Sequence, residues 1–399
     1  MKHLGDITLI DGSKIEPVDV ITFGSPCQDL SIAGKRAGLA GQRSGLFMEA
    51  VRIIKQMQEA TNGEYPKYAV WENVPGAFSS NKGKDFLAVL EELIRIKEPT
   101  ISLPEPPKSK WSKAGEISGS GWSLAWRTMD AQYWGVPQRR LRISLVLDLT
   151  GQRAGEILFE PESLRGHFAP SITPGQATAG AVENGAGTAN GVYAEVSNVC
   201  AFKLGNSEQA RSIGYAEELV PTLSTLQDQT PFVAEPTFCI QDIVCYDARG
   251  NGDGMLSPTI TGDHNSRITD YTAVVIEKII RWIVRRLTPT ECERLQGYPD
   301  GWTDLGEWVD SKGKAHKAAD APRYKALGNS IALPQWYYVL GGIADRLPEG
   351  ATLGSLFDGI GGFPYVWVQL HAGRKELCVW ASEIEEFPIA VTKVHFPES

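Results

Sequence analysis

The sequence predicts an α/β protein in which a largely parallel sheet, covered by helices, carries a smaller loop-rich lobe. Three observations lead there. Residues 1 to about 150 alternate short apolar runs with apolar positions at helical spacing, the pattern of βα units stacking into a parallel sheet. From Gly151 to about Glu277 helical periodicity fades while Gly, Thr, Ser, Asn and Pro rise, notably in 180–191. Helices then return, and the last fifty or so residues contain two strand-like runs joined by a glycine-rich turn and a helix.

Taken in order, Val18 to Phe23, Tyr68 to Trp71 and Leu141 to Leu147 are the strands of the first part. Leu46, Phe47, Val51, Ile53, Ile54 and Met57 recur at helical spacing between the first two. Pro99 to Gly121, rich in Pro, Ser and Lys, is expected to be an exposed insertion, and the polar lobe is expected to hold short strands. Within the lobe a weak repeat pairs Ala201-Phe202, Pro221-Thr222-Leu223 and Val233-Ala234-Glu235 with Cys245-Tyr246, Pro258-Thr259-Ile260 and Val275-Ile276-Glu277, which suggests duplicated hairpins. Thr288-Pro289-Thr290-Glu291 has the spacing of a capping box with proline at the first helical position. Ile331 to Leu347 gives a further helix, and Leu353 to Phe357 and Leu377 to Ala381 are the last strands. The expected division is 1–150 and 286–399 for the sheet domain and 151–285 for the lobe.

With 42% apolar residues the chain can bury a large core. No apolar stretch reaches bilayer length and the start is too polar for a signal peptide, so a cytoplasmic protein is expected. The six cysteines and six histidines lack the short spacings of metal sites, and the scattered cysteines suit a reducing compartment; no metal is expected. The net charge of -9 does not exclude a nucleic-acid partner, because Lys35, Arg36 and Arg43, then Arg139, Arg140 and Arg142, then Arg281, Arg285, Arg286 and Arg294 form local basic clusters.

Four segments carry chemistry. Pro26-Cys27-Gln28 presents a thiol just after a strand, where it can serve as a nucleophile. Glu72, in Trp71-Glu72-Asn73-Val74, ends the next strand, at the sheet edge where ligands bind in open α/β folds. It can act as an acid or pair with an arginine. Gln138-Arg139-Arg140-Leu141-Arg142 offers guanidinium donors suited to a pyrimidine carbonyl and to phosphates. Phe357-Asp358-Gly359-Ile360-Gly361-Gly362 joins a strand to a helix with room for close ligand approach, but the third glycine of the dinucleotide fingerprint would fall at Pro364, which excludes the NAD reading.

Together these segments resemble the motif set of the DNA cytosine-5 methyltransferases, over most of the chain outside 151–285. The resemblance implies a Rossmann-like S-adenosylmethionine-dependent methyltransferase sheet with a target-recognition lobe. It makes Cys27 the nucleophile, Glu72 the partner of the base at N3, and Arg140 and Arg142 the holders of the flipped base and its phosphates. S-adenosylmethionine is expected at Phe357, Gly359, Ile360, Gly361, Glu383 and Ile384, with Asp6 and Ile7 near its adenine and Gly24, Pro26 and Leu46 on its other side. Asn329, Ser330 and Ile331 match the segment that closes the pocket. DNA contact is expected from Gln28, Ser31, Lys35, Arg43 and Asn73, and Ser31 to Gly45 is a candidate lid over the base.

The motif order departs from the family, because the glycine-rich segment comes last. The resemblance therefore implies a circular permutation cut between the second and third sheet strands, with Pro348 to Thr352 joining the former ends and residues 353–399 docking beside 1–25. The implied reaction is methyl transfer to C5 of cytosine in a specific double-stranded DNA sequence by a monomer, with a restriction endonuclease as a candidate partner. The competing readings are an RNA cytosine-5 methyltransferase and a catalytically silent DNA-binding protein.

Overall fold

Alternation along each central strand sorts its side chains into two cores. In the computed structural model, which describes residues 1–25, 45–159, 200–202, 216–217, 232–247 and 272–398, Val20, Tyr68, Val70 and Val146 enter one apolar cluster while Ile21, Phe23, Ala69, Trp71, Leu145 and Leu147 enter another. Burial on both faces explains why these strands read as continuous apolar runs.

The strands are β1 (Lys2–His3), β2 (Val20–Phe23), β3 (Tyr68–Asn73), β4 (Ala114–Gly119), β5 (Trp122–Asp130) and β6 (Leu141–Asp148), then β7 (Cys200–Phe202), β8 (Ala216–Glu217), β9 (Phe232–Asp247) and β10 (Thr272–Arg286), a small hairpin of β11 (Trp308–Val309) and β12 (Ala315–His316), and finally β13 (Leu353–Leu356) and β14 (Cys378–Ser382). The helices are α1 (Gly45–Ala60), α2 (Lys84–Ile94), α3 (Ala154–Leu158), α4 (Pro289–Gln296), α5 (Asp320–Asn329), α6 (Leu333–Ala344), α7 (Gly362–Leu370) and α8 (Glu386–His395). Apolar residues of α1 and α2 cover one face of the sheet, and those of α3, α6 and α7 cover the other. Among the described residues no helix is long and apolar enough to cross a membrane.

The main sheet runs β1-β14-β13-β2-β3-β6-β5-β4. Its first five strands are parallel and its last three antiparallel. The two strands from the carboxyl end thus sit between β1 and β2, as the permuted motif order requires. Lys2 pairs with Trp380, the Leu4 amide donates to the Ala381 carbonyl at 2.8 Å, and the Trp380 indole donates to the Glu16 carbonyl at 2.8 Å. Residues 353–398 are part of the sheet, not an independent domain. Gly354 is needed for this docking, because a Cβ there would lie 2.3 Å from the Trp380 ring.

Some expectations need correction. Part of the predicted insertion, Ala114–Gly119, is an edge strand paired with β5, whose partner residues Trp122 to Ala125 are buried. The lobe begins later than residue 151, since Ala154, Ile157 and Leu158 of α3 belong to the sheet domain's core. The lobe's own strands are also longer than expected: β9 and β10 have 16 and 15 residues and pair antiparallel. In the first copy of the weak repeat Ala201 pairs with Val233, whereas in the second Val275, the counterpart of Val233, pairs with Val244, one residue before Cys245; the repeat's intervening residues lie outside the described ones. The capping box at Thr288 and Glu291 forms as predicted, with proline at the start of α4.

Candidate active site

Register brings four distant segments to one edge. Ser382 pairs with Leu356, Leu356 with Phe23, and Phe23 with Trp71, so β14, β13 and β2 end side by side, level with Trp71 near the end of β3. The residues that follow are Glu383, Phe357, Gly24 and Glu72. This is the carboxyl edge, at the point where the chain departs from β13 toward β14 on one side while β2 flanks the other, and crevices at such points bind ligands.

The root of the cysteine loop is fixed from β3. Ser25 is buried, and its hydroxyl accepts from the Trp71 indole at 3.1 Å and from the Asn73 amide at 3.3 Å. Asn73 also accepts from the Val74 amide at 2.8 Å. At 1% exposure, with both ends of its amide engaged, Asn73 holds this loop root. An added Cβ on Gly24 would lie 3.4 Å from Glu72 Oε2, so the carboxylate stands beside the loop that leads to Cys27. Pro26, Cys27, Gln28, Ser31, Lys35 and Arg43 lie outside the described residues.

Glu72 pairs with Arg142 at 3.0 Å, each side chain 14% exposed. The acid and the arginine therefore form one unit open to the crevice. Arg140 is 2% exposed, and its guanidinium donates to the carbonyls of Gly328, at 3.2 Å, and Ser330. The end of α5 offers these carbonyls to a buried donor. Arg140 thereby clasps the Asn329 segment to the sheet.

That segment meets the glycine-rich turn. A Cβ on Gly362 would lie 2.8 Å from Ile331 Cγ1, and Ser330 Oγ shares a 2.6 Å hydrogen bond with Tyr298 Oη. Asn329 is exposed. Across the turn, Glu383 accepts from the Gly359 amide at 2.9 Å with one oxygen, and from the Ile384 and Glu385 amides at 2.7 and 2.9 Å with the other. Ile384 is 66% exposed at the rim, and Leu46 is half-buried at the start of α1. Asp6 is exposed and accepts from Thr8, whereas Ile7 is buried. Ser382 ties this corner together by donating to the Gly5 carbonyl at 2.7 Å.

Asp358, not singled out by sequence reasoning, is 6% exposed. Neither carboxylate oxygen has a hydrogen-bond partner of good geometry among the described residues. Burial pushes its carboxyl up to about 7, opposed by the Ser355 hydroxyl and reinforced by the like charge of Glu383. The protonated form is favoured in the folded state, so stability falls as pH rises from the unfolded value near 4 through 7 and stays low above it. Asp358→Asn is expected to stabilise the ligand-free protein at pH 8, by on the order of 4 kcal/mol at the ceiling, and by less at pH 5. Urea unfolding at the two pH values measures this, and an equal gain at both would contradict it.

These groups fit S-adenosylmethionine better than a phosphate-bearing cofactor. The Gly359 amide, which would bind phosphate in a dinucleotide turn, is taken by Glu383, and Asp358 and Glu383 place carboxylates where a cationic ligand is welcome. Gly359 itself, at φ +57°, has nothing within 4 Å of an added Cβ, leaving room for a ligand.

The family model described as C-5 cytosine-specific DNA methylase matches residues 1–97 and 112–344. The chain belongs to this family. The match stops before β13, so the strands that complete this cytosine-specific methylase sheet are those the permutation moved to the end. Among relatives, a DNA N-6-adenine-methyltransferase of Escherichia phage P1 is 30% identical over 424 residues, covering 87% of this chain and 55% of that protein. The type II methyltransferases M2.BsuMI of Bacillus subtilis (strain 168) and M.HpaII of Haemophilus parainfluenzae are each 25% identical, over 80% and 83% of this chain and 58% and 73% of their own lengths. The chain thus spans little more than half of two of these relatives.

Proposed function

We propose that this protein transfers a methyl group from S-adenosylmethionine to C5 of cytosine within a specific double-stranded DNA sequence. The observation that carries the reading is the Glu72–Arg142 pair at the strand end beside Gly24, where the loop bearing Cys27 begins. Cytosine C5 is a weak nucleophile, and a base in the stack cannot meet a thiol and a methyl donor on its two faces, so the base is flipped out. The Cys27 thiolate adds to C6, forming an S–C6 bond and moving ring electrons toward C5 and N3. Glu72, oriented by Arg142, engages N3 as charge builds there, while Arg142 donates to the pyrimidine O2. When bound, S-adenosylmethionine supplies an electrophilic methyl group. After C5 has taken it, a base removes the C5 proton, the S–C6 bond breaks, and the thiolate is restored.

The remaining residues take the roles that the motif resemblance implies. Phe357, Gly359, Ile360, Gly361, Glu383, Ile384, Asp6, Ile7, Gly24, Pro26, Leu46, Asn329, Ser330 and Ile331 form the cofactor pocket, with Arg140 bracing its Asn329 side. Gln28, Ser31, Lys35 and Arg43 meet DNA. The sheet domain performs the chemistry, and the lobe, from about residue 160 to 285, reads the sequence in the major groove. The enzyme acts as a monomer, with a restriction endonuclease of the same specificity as its companion.

The name of the phage P1 relative favours a second reading, methylation of adenine N6. An exocyclic amine attacks a methyl donor directly and needs no thiolate adduct, so that reading leaves Cys27 and Glu72 without a purpose. Label transfer from S-adenosylmethionine to mixed-sequence duplex DNA and, separately, to bulk transfer RNA, followed by digestion to nucleosides, separates the readings. Label in 5-methylcytosine is the expected result. Label in N6-methyladenine, or in transfer RNA alone, would overturn the proposal.

A further inference from the structure

The glycine-rich turn is gripped by a residue far from it in sequence. Trp302 is 6% exposed, and its indole N–H donates to the carbonyl of Ile360, between Gly359 and Gly361, at 2.9 Å. The ring cannot swing away. It lies flat on the His395 imidazole, with centroids 3.5 Å apart and planes 2° from parallel, and meets Tyr365 edge-on at 4.9 Å. His395 Nε2 shares a 2.8 Å hydrogen bond with the Trp302 carbonyl, which fixes the backbone as well.

A second anchor holds the 301–303 turn from below. Glu293, fully buried on α4, accepts from the Gly301 amide at 2.7 Å, the Thr303 amide at 2.8 Å and the Thr303 hydroxyl, and its charge is balanced by Arg323 at 3.2 Å. A buried carboxylate held by several donors is rigid, because losing any one of them strands a charge. Glu293 thus fixes Trp302, and Trp302 fixes the Ile360 peptide.

We infer that Trp302 is a positioning residue for the cofactor, acting through Ile360 on the path of the turn. The turn needs outside support: Phe357 and Gly359 to Gly361 include three left-handed residues, at φ +56°, +57° and +80°, and Gly359 borders open space. The inference rests on the function proposed above. It adds that cofactor affinity is set partly by α4, the helix that follows β10 out of the lobe after only Leu287 and Thr288.

Trp302→Phe keeps a ring against His395 and Tyr365 and removes the indole donor. Titration calorimetry with S-adenosylhomocysteine and with S-adenosylmethionine should show affinity weakened about five- to tenfold, the range for one lost hydrogen bond. KM for S-adenosylmethionine should rise in step, while kcat and KM for DNA stay within about twofold. Unchanged cofactor affinity in the variant, or equal losses for cofactor and DNA, would overturn the inference. If Trp302→Phe does not fold, site-specific replacement of Trp302 by its benzothiophene isostere, which lacks the N–H, carries the same test. Failure of the wild-type protein to bind either cofactor form would instead overturn the proposed function on which the inference stands.

Discussion

Cys27→Ser should abolish methyl transfer, lowering the rate by at least about 10⁴-fold, while binding to duplex DNA survives. A thiolate is accessible near neutral pH and adds readily to an electron-poor double bond; a serine hydroxyl stays protonated and does not. The substitution removes the S–C6 bond without changing the shape of the loop, so contacts to phosphates and base edges should persist. Label incorporation measures the first effect and gel retardation the second. A duplex carrying 5-fluorocytosine gives an independent readout, because fluorine at C5 cannot leave as a cation and the S–C6 adduct cannot collapse. Wild type should form a covalent complex that resists denaturant, and Cys27→Ser should not. Transfer at wild-type rate by the variant would remove Cys27 from the mechanism.

The strand ends that carry the motifs were readable in the sequence because each is a run of apolar residues buried on both faces, as in Val20 to Phe23 and Tyr68 to Trp71. The position of β13 and β14 was readable for a different reason: motif order, rather than any local pattern, required them to lie between β1 and β2. Local patterns missed β1, which is only two residues long, and β5, where Trp122 to Trp126 are buried in succession and then give way to a mixed polar run. The partners of Arg140 and Asn73 were not legible, because residue type cannot tell a polar group facing substrate from one satisfying buried carbonyls or a loop backbone. Both have the chemistry of a ligand contact, and only the partners, Gly328 and Ser330 for one and Ser25 for the other, reveal a supporting role. Trp302 was invisible for the same reason. Its contact to Ile360 spans 58 positions and depends on Glu293 shaping the turn between them.

Glu72→Gln should lower the methyl-transfer rate by roughly 10²- to 10⁴-fold, the span of a positioned acid or base, with little change in cofactor affinity. Glutamine keeps the volume and can still accept from Arg142, but it has no proton to give to N3 and no charge to hold the guanidinium at 3.0 Å. The rival explanation is that Glu72 serves only to neutralise Arg142. The two differ in what they predict for single turnover on preformed enzyme–DNA complex. A structural partner would lower the unfolding midpoint, since breaking a pair whose side chains are each only 14% exposed strands the guanidinium charge, and would leave the transfer rate within about tenfold of wild type once the complex is saturated. A group acting on N3 would slow transfer even when every site is filled and the midpoint is unchanged. Arg142→Lys sharpens the contrast: lysine keeps the charge beside Glu72 but not the planar fork, so stability should be largely retained while transfer is lost. Full activity in Glu72→Gln at saturation, with only the midpoint lowered, would assign the pair to the scaffold and leave the N3 role to another group.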